Sequence, residues 1–311
     1  MSATFTQLVN QELARDTQAG APAWVDRTAF PFQSRFLEVL PGKRVHYIDE
    51  GSGGVLLFVH GTPTWSFEWR HVIAAMSKTH RCIAMDNLGF GLSDRPRDFD
   101  YSPESHAGIL RAFINRLNLQ NLTLIVHDFG GPIGLPIALE TPGLVRRLVV
   151  VNTWMWSFED DRGMRLKATV AAGRLGRFLY RHVNFSLRVI MPGAYADRRK
   201  LTPQIHAQYL APFPDADSRG RVLHALARAL IGSSAYYDSL WMQREKLRSI
   251  PALIIWGTKD PALSPSSLPR WGTILPEAGL VPLETGHWPH EEAPNDFTDA
   301  LKNFVIGGEG L

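Results

Sequence analysis

Short apolar runs rich in β-branched residues recur along the chain at residues 44–48, 55–59, 82–85, 122–126, 148–151, 252–256 and 280–283. Each is too short for a helix and is bounded by Gly, Pro, Asp or Asn, a pattern that predicts strands. Between them, residues 67–76, 105–117, 131–140, 267–274 and 295–304 place apolar side chains at helical spacing. Strands that alternate with helices predict an α/β fold with a mostly parallel sheet covered on both faces.

One stretch breaks the rhythm. Residues 155–247 contain no convincing strand; Arg-rich helical patterns at 167–182 and 218–231 are separated by Pro192, Pro203, Pro212 and Pro214. We read this stretch as a helical cap inserted over the carboxyl ends of the strands, where open α/β sheets bind ligands. The competing reading is a separate structural domain with no part in the site. The expected layout is a polar leader at 1–26 with a short helix at 5–14, a core at 27–154 and 248–311, and the cap at 155–247.

With 311 residues, 45% of them hydrophobic, the chain can bury a sizeable core. A formal net charge of only +3 does not suggest nucleic acid as a partner. The single cysteine, Cys82, excludes an internal disulfide and sits in an apolar run. The amino terminus has neither a basic start nor an apolar core segment, and no apolar run reaches membrane-spanning length, so a cytoplasmic location without a membrane partner is the expectation. No H-E-x-x-H motif or Cys/His cluster is present, so neither a metal nor another cofactor is expected. Nothing points to an obligate protein partner.

The candidate chemistry lies at strand ends. In Leu124-Ile125-Val126-His127-Asp128-Phe129-Gly130-Gly131, an apolar strand runs into a charged residue and then into two glycines that open a helix. That is the layout of a nucleophile elbow, with Asp128 in the place where many hydrolases carry serine. An Asp at such a junction could also merely cap the helix. Further matches favour chemistry. His60-Gly61-Thr62-Pro63 follows the run at 55–59 and supplies a candidate oxyanion loop, with the amides of Thr62 and Phe129 as donors. Asp260 follows the run at 252–256, and His287 follows the run at 280–283. The order nucleophile, acid, histidine fits a triad of Asp128, Asp260 and His287, in which the acid orients the imidazole and the imidazole acts as base.

The segments His60-Gly61-Thr62-Pro63-Thr64-Trp65-Ser66, Asp86-Asn87-Leu88-Gly89-Phe90-Gly91-Leu92-Ser93-Asp94, His127-Asp128-Phe129-Gly130-Gly131 and Gly286-His287 resemble those of haloalkane dehalogenases, as does Leu210-Ala211-Pro212-Phe213-Pro214-Asp215 in the cap. The likeness covers about residues 30 to 305. It implies an α/β-hydrolase fold with an eight-stranded sheet and a nucleophilic Asp that forms an alkyl ester, acting on a small apolar substrate and water. In one branch of that family the acid follows the sixth strand, where this chain has Asn152; Asp260 fits the other branch. The family usually grips the leaving halide with a Trp after the nucleophile and, in several branches, an Asn after His-Gly. Here those positions hold Phe129 and Thr62. The Thr62 hydroxyl and an indole of Trp154 or Trp156 are the substitute donors to consider, and Trp65, Tyr236 and Tyr237 are further candidate pocket residues. The same triad serves epoxide hydrolysis, which needs tyrosine hydroxyls near Asp128, and a β-lactone or ester-like substrate is a third reading. A binding protein that keeps the fold without chemistry is the non-enzymatic alternative.

Overall fold

A computed structural model describes residues 21–307, so the expected leader helix at 5–14 lies outside the described residues. Eight strands form one sheet: β1 (Arg35–Leu40), β2 (Lys43–Glu50), β3 (Val55–Val59), β4 (Arg81–Met85), β5 (Leu122–Asp128), β6 (Val145–Thr153), β7 (Ala252–Gly257) and β8 (Gly279–Leu283). Their spatial order is β1-β2-β4-β3-β5-β6-β7-β8. β2 pairs antiparallel with β1 and β4, and every pair from β4 to β8 is parallel.

The parallel centre follows from composition. β5 and β7 are buried along their whole length, which suits mainly apolar strands rich in Leu, Ile and Val with helices on both sides. β8 is the exposed edge, and Pro282 is tolerated there because an edge strand can spare an amide. β1 is the strand absent from the sequence reading. Its six residues alternate only loosely, and Arg35 and Glu38 interrupt the apolar pattern.

Helices Arg70–Met76, Pro103–Arg116, Gly130–Glu140, Leu268–Ile274 and Pro294–Gly307 flank the sheet. The second begins at a built cap, with Ser102 Oγ accepting from the Ser105 amide at 3.1 Å and Pro103 in the first turn. Helix Gly130–Glu140 is buried throughout except at its last residue, so it carries almost no polar side chain.

Between β6 and β7 the described chain is helical, without strands. The pattern at 167–182 becomes helix Arg162–Ala172, a break at Gly173, helix Arg174–Phe178 and a π-helical turn at Leu179–Val183. Further helices are Met191–Ala194, Pro203–Leu210, His224–Gly232 and Ser234–Met242. Cys82 is buried in β4, and burial pushes its thiol up to about 12.

Candidate active site

Asp128 is the last residue of β5, and its backbone takes φ 51°, the left-handed region that residues with a Cβ avoid. The turn is held from two sides: the Thr153 hydroxyl donates to the Asp128 carbonyl, and the Thr62 amide donates to Asp128 Oδ1 at 2.8 Å. Two glycines make room. A Cβ on Gly61 would lie 2.2 Å from Asp128 Oδ1, and one on Gly130 would lie 2.1 Å from the Val59 carbonyl oxygen. His60 fixes the loop between them. Its Nε2 accepts the Asn87 amide at 2.9 Å, so its Nδ1 carries the proton and donates to the Gly61 carbonyl at 2.7 Å.

His287 follows β8. Its Nε2 lies 3.4 Å from Asp128 Oδ2, and its Nδ1 lies 2.6 Å from Asp260 Oδ2. Asp260 follows β7 and is 3% exposed. Its Oδ1 accepts the amides of Ala262 and Leu263 at 2.8 and 3.1 Å, and its Oδ2 also accepts Asn152 Nδ2 at 2.8 Å. Burial opposes the Asp260 charge, but the His287 charge and hydrogen bond and these amides outweigh it and hold the carboxyl at about 2. Burial likewise opposes an imidazolium at His287, yet Asp260 and Asp128 outweigh it and raise the ring to about 10.

The three candidate triad residues thus come together from the ends of β5, β7 and β8. Asn152, which the sequence excludes as the acid, holds the acid instead: its Oδ1 accepts the Gly257 amide at 2.8 Å while its Nδ2 donates to Asp260.

Asp128 and His287 open onto a cavity of about 680 Å³ with a mostly apolar wall. Thr62, Phe129, Trp154, Phe158, Tyr180 and Trp288 contribute to it, together with residues of the helical insertion. Thr62 Oγ1 and the indole nitrogens of Trp154 and Trp288 are buried without a hydrogen-bond partner. The Trp154 ring packs edge-on to Phe129, with centroids 4.8 Å apart. Trp288 was not singled out from the sequence; its only signal is its position beside His287.

Four expected pocket residues do not line this cavity. Trp65 is fully buried among Trp24, Phe30 and Phe67, and its indole donates to the Gln208 carbonyl at 3.0 Å. Trp156 packs edge-on against Trp241 and Trp271. The hydroxyls of Tyr236 and Tyr237 donate to the carbonyls of Pro132 and Ala229 at 2.7 and 3.0 Å. In each case packing or a backbone acceptor elsewhere claims the side chain.

Behind the base, Glu68, His127 and His290 gather with their donor atoms within 4.8 Å of one another. Their wide separation in the sequence hides this grouping from any motif. His127 Nε2 lies 2.9 Å from the His287 carbonyl oxygen, and its Nδ1 lies 3.3 Å from Glu68 Oε1. Burial opposes the Glu68 charge, but His127 and His290 hold its carboxyl far below the usual range. None of the three lines the cavity. The insertion is also tied to this region: the His287 amide donates to the Ala194 carbonyl at 2.9 Å. The Glu292 carboxylate accepts the amides of Gly286, Ala196 and Asp197 at 2.7, 3.2 and 2.9 Å.

Known proteins resemble the chain over most of its length. The alpha/beta hydrolase fold family matches residues 54–294. A haloalkane dehalogenase 2 of Mycobacterium tuberculosis is 34% identical over 278 residues, covering 89% of this chain and 96% of the relative. A cis-3-alkyl-4-alkyloxetan-2-one decarboxylase of Shewanella oneidensis is 32% identical over 293 residues, covering 91% of this chain and 92% of the relative. The crystal structure of a putative ancestral haloalkane dehalogenase superposes with a TM-score of 0.79 at 27% identity, covering 89% of this chain and all of that one.

Proposed function

The chain belongs to the alpha/beta hydrolase fold family, among the haloalkane dehalogenases, and from that premise we propose that it removes halide hydrolytically from small haloalkanes, with Asp128 as nucleophile, His287 as base and Asp260 as the acid that orients it. The observation that carries this reading is the division of labour on one carboxylate. Asp128 Oδ1 is held by the Thr62 amide, while Oδ2 lies 3.4 Å from His287 Nε2 at an apolar cavity.

Oδ2 attacks the halogen-bearing carbon, a C–O bond forms, and the C–halogen bond breaks with its electron pair leaving on the halide. Oδ1 becomes the ester carbonyl oxygen, already placed at an amide donor. Ester formation removes the Asp128 charge, one of the two that raise His287. The imidazole then holds a proton less tightly and gains its basic form. Neutral His287 takes a proton from water as the oxygen attacks Cγ of Asp128; the imidazolium returns that proton to the alkyl oxygen, which departs as alcohol, and the carboxylic acid left on Asp128 releases the second water proton to solvent and returns to carboxylate.

The leaving halide needs donors that Phe129 lacks. Thr62 Oγ1 and the Trp154 indole are proposed for that role, because both are buried at the cavity without a partner. Epoxide chemistry, which calls for two tyrosine hydroxyls converging at Asp128, is less well supported: Tyr236 and Tyr237 spend theirs on backbone carbonyls, Tyr195 and Tyr209 do not line the cavity, and Tyr180 is the one tyrosine among the described residues that does. Action on a β-lactone is the second reading, favoured by the oxetan-2-one decarboxylase relative.

A panel of 1-bromoalkanes and cis-dialkyl β-lactones, scored for halide and for carbon dioxide, separates the two. Halide release is the expected result, and carbon dioxide without halide overturns it. The His287→Gln variant should accumulate an alkyl-enzyme heavier by the alkyl group in intact-mass spectra; full turnover by this variant would defeat the scheme.

A further inference from the structure

Charge and apolar exposure coincide on one part of the helical insertion. Residues 162–190 contain seven Arg and Lys and no Asp or Glu. Among the described residues, none of the seven is in an ion pair. The same segment holds seven of the eleven exposed large hydrophobic side chains found among the described residues. Leu166, Leu175 and Phe178 are 67%, 61% and 56% exposed. Soluble proteins scatter such residues singly; gathering most of them into one segment marks an interaction surface.

The segment also forms the rim of the cavity. Leu166, Val170, Val189 and Ile190 are exposed and at the same time line it. The apolar interior is thereby continuous with the apolar exterior.

We propose that this face docks onto an anionic lipid surface, with Leu175 and Phe178 entering the headgroup boundary and the surrounding arginines meeting lipid phosphates. Two other occupants fit less well. A second copy packed about a two-fold axis would oppose the same unpaired cations. Nucleic acid would satisfy the cations and leave the exposed leucines, valines and phenylalanine in water. A bilayer interface receives both kinds of side chain at once. The proposal departs from the sequence-based expectation of no membrane partner. That expectation rested on the lack of a spanning segment, and no helix among the described residues is long and apolar enough to span; lying on a surface is a different demand. The inference is independent of the reaction proposed above.

The test is co-sedimentation of the full chain with vesicles of phosphatidylcholine plus phosphatidylglycerol, against phosphatidylcholine alone. The expected result is more than about tenfold stronger binding to the anionic vesicles, weakened by salt. The paired variants Leu175→Ser with Phe178→Ser and Arg174→Glu with Arg177→Glu should each lose it while keeping the parent's circular dichroism and melting temperature. Absence of binding to anionic vesicles, equal binding to both vesicle types, or folded variants that bind like the parent would each overturn the proposal. So would a stable dimer in sedimentation that the Leu175→Ser, Phe178→Ser pair converts to monomer.

Discussion

At Asp128 the chain accepts a backbone conformation, φ 51°, that costs on the order of 1–3 kcal/mol for a residue with a Cβ. That cost is met by the Thr153 and Thr62 hydrogen bonds, which fix the side chain before any substrate arrives. Around it, single atoms decide the chemistry. If the Trp154 indole steadies the departing halide, Trp154→Phe should slow halide release from chloroalkanes by about tenfold to a thousandfold. The loss should be smaller for iodoalkanes, whose leaving group needs less help. Equal losses for all halogens in rapid-quench measurements would refute the donor role. His287 carries a pH signature as well. Its folded value near 10 stands above the ordinary imidazole value. Its stabilising contribution is therefore full below about pH 6.5 and is lost as pH rises through about 10. The gap in melting temperature between the parent and His287→Gln should shrink across that window, and a constant gap would show that the charge pairing does not operate.

Among the elements, the loop after β3 and the start of the helix after β5 approach each other too closely for any side chain. Gly61→Ala would press its methyl against the nucleophile, so kcat should fall by about a hundredfold with the sheet intact by circular dichroism. Retention of full activity would mean that the loop relaxes freely. This scale is also where the sequence was most legible. β3, β5 and β7 announce themselves through mainly apolar runs, and Asp128, Asp260 and His287 through their places at or just past strand ends. β1 stayed hidden because a short edge strand buries only part of its length and tolerates Arg35 and Glu38. The pocket aromatics were the least legible. Trp65, Trp156, Tyr236 and Tyr237 have the right chemistry, but which way a ring turns is settled by neighbours distant in the chain, such as Gln208, Trp271 and Pro132. Asn152 was rightly excluded as the acid, but its part in holding Asp260 and β7 was not legible, because that pairing runs across the sheet and not along the chain.

At the scale of the molecule, the sheet supplies a rigid platform and the helical insertion supplies most of the wall that a substrate would touch. The two are not loosely joined. The His287 amide rests on the Ala194 carbonyl, and Glu292 gathers amides from both parties. The seam opposes a swinging door: rotating the insertion as one body would strip the amide from its acceptor and drag the base out of line. The expected passage is by local fraying of the outer rim, while the inner seam stays shut. Hydrogen–deuterium exchange would register this as slow uptake at residue 287, comparable to β5, beside fast uptake across 162–178. Fast uptake at both places together would mean that the whole roof lifts.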